Sequence, residues 1–212
     1  MVIAIDGPSG VGKSTVSRAV AAILGLAYLD TGATYRAATL AVLDAGIDIN
    51  DERSVLVELE QHSIDYDERG IILDGESVAF NVRSDAVTSS VSVVSAHPLV
   101  RTEIVDIQRR WVELHDQNAV VEGRDIGTVV FPHATVKVFL TASPEVRAQR
   151  RAGDSESDGQ TVAEIAASLA ERDQADSTRK ASPLRPADDA EVIDTGQLGI
   201  DEVVESIIAL TR

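Results

Sequence analysis

The opening segment limits how this chain can fold more than any other. Val2-Ile-Ala-Ile5 is a short, wholly apolar run, the pattern of a strand buried on both faces of a parallel sheet. It leads through Asp6 into Gly7-Pro8-Ser9-Gly10-Val11-Gly12-Lys13-Ser14-Thr15, which matches G-x-x-x-x-G-K-[ST]. A helical pattern follows from Lys13, with Val16, Ala19, Val20, Ile23 and Leu24 on one face and Gly25 as its stop. Strand, glycine-rich turn and helix make a phosphate cradle. Glycines let backbone N–H groups curl around phosphate oxygens, Lys13 supplies a point charge, and the Ser14 hydroxyl helps hold Mg²⁺. The positive end of the helix then faces the anion. Residues 7–15 are therefore expected to bind the phosphates of ATP.

The rest of the chain alternates strand and helix. Tyr28-Leu29, Ala119–Glu122, Val136–Leu140 and Glu191–Asp194 read as further buried strands. Helical patterns fall over Ala33–Ala45, Asp51–His62, Ser84–Ala96, Pro98–His115, Pro144–Arg151, Thr161–Ala175 and Ile200–Leu210. Ile64–Asp67, Ile71–Leu73 and Glu76–Ala79 are short strands split by Arg69-Gly70 and Asp74-Gly75, the marks of a small antiparallel meander. Gly153–Gln160 is polar and reads as a mobile loop. The expected fold is α/β: a doubly wound, parallel five-stranded sheet, with an inserted antiparallel-strand and helix subdomain and a lid. No internal repeat is evident.

Composition narrows the partners. The formal net charge is −16, which argues against broad adhesion to nucleic acid or anionic membrane. With no Cys, the chain has no disulfide, thiolate nucleophile or zinc-thiolate site. No basic, apolar leader precedes Asp6, and Ala19–Leu29 is too short to span a bilayer. A soluble, cytoplasmic protein acting as a monomer on small nucleotides is expected. Of the 19 basic residues, only Lys13, Lys137 and Lys180 are Lys. A base-composition bias explains this as readily as phosphate binding, in which the planar fork of Arg outperforms Lys.

A phosphate cradle alone does not choose between switch, motor and kinase. The base-specifying N/T-K-x-D of a GTPase is missing, and so is the H-R-D base motif of protein kinases. Glu122, closing Ala119-Val-Val-Glu122, is the candidate second helper for Mg²⁺, through water; a solvated strand end is the bland reading. Arg36, Arg124, Arg147, Arg150, Arg151, Arg172 and Arg179 fall at strand ends or around the polar loop, and Arg101 lies in the Pro98–His115 segment. They are expected to converge on one positive cleft in an acidic molecule, since ligands of open α/β sheets sit outside the strands' carboxyl ends. An acceptor that is itself a phosphate arrives ionised, so it needs positioning and charge neutralisation instead of a base. A hydroxyl acceptor would want a carboxylate, for which Asp30 stands ready. A slowly hydrolysing, ATP-binding regulatory module is a further alternative.

Four segments carry a resemblance. Ile5–Thr15 is the first and Leu29-Asp-Thr-Gly-Ala-Thr-Tyr-Arg36 the second. Glu122-Gly-Arg-Asp-Ile-Gly-Thr-Val-Val-Phe-Pro132 is the third, and Glu171-Arg-Asp-Gln-Ala-Asp-Ser-Thr-Arg179 with Ser182-Pro-Leu184 the fourth. Together they resemble the bacterial cytidylate kinases, nucleoside monophosphate kinases with a P-loop. The resemblance implies transfer of the ATP γ-phosphoryl to CMP, with dCMP also accepted; the alternative is a P-loop kinase for another small acceptor, such as UMP, AMP or a hydroxyl compound. It implies one kinase domain with a core of residues 1–30, 102–146 and 177–212, an NMP-binding insertion at 31–101 and a lid at 147–176. Thr31, Tyr35, Arg36, Ser92, Arg101, Arg124, Asp125, Arg172, Asp176 and Arg179 are implied for CMP. Among these, Arg36, Arg124 and Arg179 would hold the acceptor phosphate. Asp176 and Arg172 would take the sugar. Lys13 with Arg150 and Arg151 would stabilise the transferring phosphoryl.

Ser92, Arg101 and Asp125 would read the base, and chemistry supports that assignment. Cytosine offers an N4 amino donor to Asp125 and acceptors at N3 and O2 to Arg101 and Ser92. Uracil would set its O4 against the Asp125 carboxylate, two acceptors together in a dry pocket. A cap role, or an ion pair with Arg124, is the bland alternative for Asp125.

Overall fold

The computed structural model describes residues 1–153 and 161–212. The chain divides into two compact units, one of residues 1–29 and 117–212 and one of residues 30–116.

The first unit is built on a parallel sheet. Its strands are β1 (Val2–Asp6), β2 (Ala27–Asp30), β6 (Ala119–Gly123), β7 (Val136–Thr141) and β8 (Glu191–Asp194), in the order β2-β6-β1-β7-β8. The register pairs Ile3 with Val120 and Val136, and Ile5 with Glu122 and Val138. Every residue of β1 and β6 is buried, as their near-continuous apolar runs require. Helices α1 (Lys13–Leu24), α6 (Pro144–Ala152), α7 (Val162–Thr178) and α8 (Ile200–Ala209) accompany the sheet. Val16 and Val20 of α1 and Val203, Val204 and Ile207 of α8 share a core with Ile3, Ile5, Val138 and Leu140. Because α1 ends in the left-handed region at Gly25 (φ 65°), the chain turns straight back into β2.

In the second unit, α2 (Thr31–Asp44), α3 (Glu52–Leu59), α4 (Asp85–Val94) and α5 (Pro98–Leu114) surround an antiparallel meander. The meander is β3 (Ile64–Asp67), β4 (Gly70–Leu73) and the two-residue β5 (Glu76–Ser77). Asp74 and Gly75 both have positive φ, 51° and 82°, as the twisted hairpin turn demands. Val100, Ile104, Val105, Trp111 and Val112 of α5 are buried at helical spacing. Of these, Val100 and Ile104 share a core with Ala37, Val42, Val55, Leu59, Ile71, Val87 and Val91. Ser84 and Asp51 cap α4 and α3 through their side chains, a role their short polar groups favour over helix interiors.

Two readings from the sequence change, and one further segment gains an element. The strand expected over Glu76–Ala79 stops at Ser77, and a 3₁₀ turn follows at Asn81–Arg83. Helix α7 continues past Ala175 to Thr178, beyond the expected end. Ile126–Val130, left without an element by its apolar pattern, forms a π-helical turn. The polar loop expected over Gly153–Gln160 lies, from residue 154, outside the described residues. Among the described residues, no helix is long and apolar enough to cross a membrane.

Candidate active site

In the first unit, four loops leave the carboxyl ends of β1, β6, β7 and β8, where ligands of a doubly wound sheet bind. The loop after β1 is Gly7–Gly12. Gly7 (φ 149°) has no room for a Cβ, which would collide with the Leu140 carbonyl. Gly10 (φ 81°) would bring one to 3.0 Å from the Arg147 carbonyl oxygen. Only glycine lets this loop wind so close to its neighbours.

Lys13 opens α1 and reaches back over the loop, where its Nζ donates to the carbonyls of Gly7 (2.8 Å) and Pro8 (2.7 Å). Burial pushes its ammonium down to about 7, helped by the Arg124 and Arg172 charges and opposed by Glu122 and Asp6. An amine this poorly solvated gains strongly from an incoming phosphate. Ser14 and Thr15 are exposed beside it.

Arg124 follows β6 directly and grips the same loop. Its Nη1 donates to the Gly7 carbonyl at 3.0 Å and its Nη2 to the Ser9 hydroxyl at 2.6 Å. The guanidinium also pairs with Asp176 (Nε, 3.0 Å) and Asp173 (3.5 Å). Burial lowers its pKa, as do the Arg172 and Arg147 charges, while Asp176 and Asp173 raise it. Asp125, next in sequence, is buried and lies 3.5 Å from Arg179 Nη2. Its cap role does not hold, because no side-chain cap bond forms at the π-helical turn that it precedes. Arg179 in turn reaches Asp176 (3.5 Å) and donates through Nε to the Ser182 carbonyl (2.5 Å). Arg172 acts on this group through its charge on Lys13 and Arg124.

The remaining arginines of this unit divide. Arg147 of α6 is buried, donates to the Ser9 carbonyl at 3.2 Å and pairs with Asp173. Arg150 turns to the loop after β8, bonding Thr195 Oγ1 (2.8 Å), the Thr195 carbonyl (2.6 Å) and, at 3.4 Å, the Val11 carbonyl. Arg151 lies in the last turn of α6. The first unit thus gathers Arg124, Arg147, Arg172 and Arg179 around residues 7–13. Arg124, Arg147 and Arg179 pair with Asp173, Asp176 and Asp125 in an interleaved Arg–Asp network, not a bare positive patch.

Glu122 proves to be no solvated strand end: it is 2% exposed and accepts from the Tyr28 hydroxyl at 2.6 Å. Its carboxylate and the Ser14 hydroxyl are hard oxygen donors near Lys13, a set that suits Mg²⁺. Among the described residues, no group of three or more His, Cys, Asp or Glu side chains forms a closed metal cage. That is ordinary for Mg²⁺, which binds largely through substrate phosphates. Asp30 caps α2, accepting from Ala33 N at 3.2 Å, so the carboxylate expected to serve a hydroxyl acceptor has a structural partner.

The second unit holds the other acceptor candidates. Thr31 and Tyr35 are buried on α2. Arg36 donates to the Val82 carbonyl (3.3 Å) and the Thr88 hydroxyl (3.0 Å). Arg101, 3% exposed on α5, lies 5.2 Å from the Tyr35 ring centroid and donates to the Ser95 carbonyl at 3.0 Å. Ser92 is half-buried on α4.

Three residues escaped sequence reasoning. Asp173 accepts from the Ser9 N–H at 3.3 Å and pairs with two arginines. Thr195 is buried and bonds the Val11 carbonyl at 3.1 Å. Asp6 is buried at the end of β1. The only sequence signal for Asp6 was an acid closing an apolar strand; Thr195 had none.

Known proteins resemble this chain over its whole length. A family model described as cytidylate kinase matches residues 3–212. The cytidylate kinase of Rhodococcus opacus is 51% identical over 215 residues, covering 98% of this chain and 93% of that one. Those of Streptomyces avermitilis (49%; 100% and 93% covered) and Mycobacterium leprae (47%; 100% and 96%) are similar. Among solved structures, a Janibacter sugar kinase has a TM-score of 0.52 at 15% identity, covering 99% of this chain and 92% of its own. A Thermus thermophilus protein has 0.51 at 20%, covering 99% and 96%. These two show the shared fold alone. With its whole length matched and its relatives near half identical, this chain belongs to the cytidylate kinase family.

Proposed function

We propose that the chain transfers the γ-phosphoryl group of ATP to CMP, and to dCMP, giving ADP and the nucleoside diphosphate. The observation that carries this reading furthest is Arg124, whose guanidinium bonds both Gly7 and Ser9 of the phosphate loop. One side chain thereby ties the donor's phosphate loop to the segment that bears Asp125. An oxygen of the ionised CMP phosphate attacks the γ-phosphorus in line, and the bond to the β-phosphate oxygen breaks. No base is required, because the attacking group carries no proton to lose.

The chain's own residues supply position and charge. The loop amides and Lys13 orient the donor phosphates, and Lys13 neutralises charge as it spreads over the transferring group. Arg124, Arg179 and Arg36 hold the acceptor phosphate, with Arg150 and Arg151 as further stabilisers of the phosphoryl group. Asp125, Arg101 and Ser92 read cytosine, while Asp176 and Arg172 take the sugar. Thr31 and Tyr35 complete the acceptor side. Ser14, with Glu122 through water, would hold Mg²⁺. When bound, the ion neutralises part of the donor's phosphate charge.

A coupled assay of ADP release over CMP, dCMP, UMP, AMP and GMP tests the reading. CMP and dCMP should stimulate release well above the others. No stimulation by CMP overturns it, and ATP turnover indifferent to every acceptor points to the regulatory module.

A further inference from the structure

Asp6 is an acid without a role in the chemistry above. It closes β1 opposite Gly123, is 4% exposed, and lies one residue before the phosphate loop. Its two oxygens each accept one backbone N–H, Oδ1 from Ile126 and Oδ2 from Gly127, both at 2.8 Å. These are the first two amides of the π-helical turn Ile126–Val130. Within the turn, the Asp125 carbonyl accepts from Val129 (2.8 Å) and Val130 (3.2 Å), and the Ile126 carbonyl accepts from the Phe131 N–H (2.7 Å). Asp125 has no side-chain cap bond there. Asp6 therefore does from a neighbouring strand what a cap residue does locally, and Asp125 is spared that work. The fit is close: a Cβ on Gly127 would lie 3.4 Å from Asp6 Oδ2 and 3.2 Å from the Lys137 stem.

We propose that Asp6 is a positioning residue for acceptor selection: its paired backbone bonds hold the turn after β6 so that Asp125 and Arg124 face the acceptor. This rests on the assignment of Asp125 to cytosine. A carboxylate is required because it offers two acceptor oxygens and no donor. In Asp6→Asn the amide keeps one oxygen but sets an N–H₂ against a backbone N–H, leaving a buried donor unmatched. The turn then loses one of its two ties to Asp6, and Asp125 its fixed direction. Both Asp6 oxygens are engaged by the backbone of the turn, so its effect passes through Asp125.

The test is steady-state kinetics of the full chain and Asp6→Asn with CMP, UMP and ATP varied in turn, beside a thermal melt. The expected result is a rise of about 10-fold or more in KM for CMP. The ratio of kcat/KM for CMP to that for UMP should fall by about 10-fold, with KM for ATP changed by no more than about 3-fold. A CMP/UMP ratio equal to the unmodified enzyme's overturns the proposal. So does an equal loss for CMP, UMP and ATP, which would mark Asp6 as a purely structural acid. If Asp6→Asn does not fold, Asp6→Ser, smaller and with one acceptor, is held to the same outcomes. Failure of the CMP reading itself would appear earlier, as an unmodified enzyme that does not prefer CMP.

Discussion

At the scale of single residues, the site depends on charged groups that have exchanged water for one another. Asp125, proposed to read cytosine, makes its ion pair to Arg179 in a buried setting. Asp125→Asn should erode discrimination against UMP, because an amide can donate to O4. Selectivity measured as the CMP/UMP ratio of kcat/KM should fall by about 10-fold or more, and an unchanged ratio removes Asp125 from base reading. Arg179→Ala should lower kcat by about 10²–10³-fold in the same assay; near-normal turnover would place Arg179 outside the chemistry. For Lys13, pushed down to about 7, the sign follows from its cause. Phosphates restore favourable surroundings to the ammonium and raise its pKa, so binding near pH 8 should take up protons. Calorimetry of ATP binding in two buffers of different ionisation enthalpy reads that uptake directly. Zero uptake would mean that Lys13 is already charged.

Elements carry the next layer. The glycine pattern and the helix after it were legible because the loop's chemistry demands those residue types at that spacing. The π-helical turn was not legible, since Ile-Gly-Thr-Val-Val satisfies a strand or a loop equally well. A carboxylate far away in sequence decides it. In the meander, His62 bridges Asp74 (2.6 Å) and Glu58 (3.2 Å), joining the hairpin turn to α3. Asp74 and then Glu58 raise the His62 pKa above 6.5 against partial burial, while His62 lowers that of Asp74. The folded state thus binds the His62 proton more tightly than the unfolded chain. Its contribution is full below about 6.5 and is lost as pH rises through the raised value. The Asp74 contribution is lost in the opposite direction, as pH falls below the ordinary carboxylate range. His62→Gln should therefore flatten the decline in stability above about pH 6.5, by no more than about 1 kcal/mol for so exposed a pair. Denaturant melts across that range measure it, and parallel profiles for variant and parent would contradict it.

For the whole molecule, composition misleads unless position is added. A net charge of −16 suits no phosphate ligand on average. Yet Asp173, Asp176 and Asp125 are part of that acidity, and they pair with the very arginines that were expected to stand as a positive cluster. Each unit has its own core, and the lone Trp111 belongs to the second, buried with its Nε1 donating to the Tyr66 carbonyl at 2.7 Å. Its fluorescence is therefore a reporter for that unit. Ile104→Ala, at a fully buried position, should shift the Trp111 unfolding transition by about 2–5 kcal/mol. An unmoved transition would place Ile104 outside the core. The sequence by itself determined the phosphate cradle, the strand–helix alternation and the family, because each rests on local spacing: glycines at fixed offsets, apolar runs, helical periodicity. Only the tertiary structure decided that Arg124 bonds the phosphate loop, that Asp6 holds the turn beside Asp125, and that Arg150 is drawn to Thr195. Those partners lie 117, 120 and 45 residues apart. Hydrogen-bond pairing over such separations follows from how strands are ordered in the sheet, which no local pattern encodes.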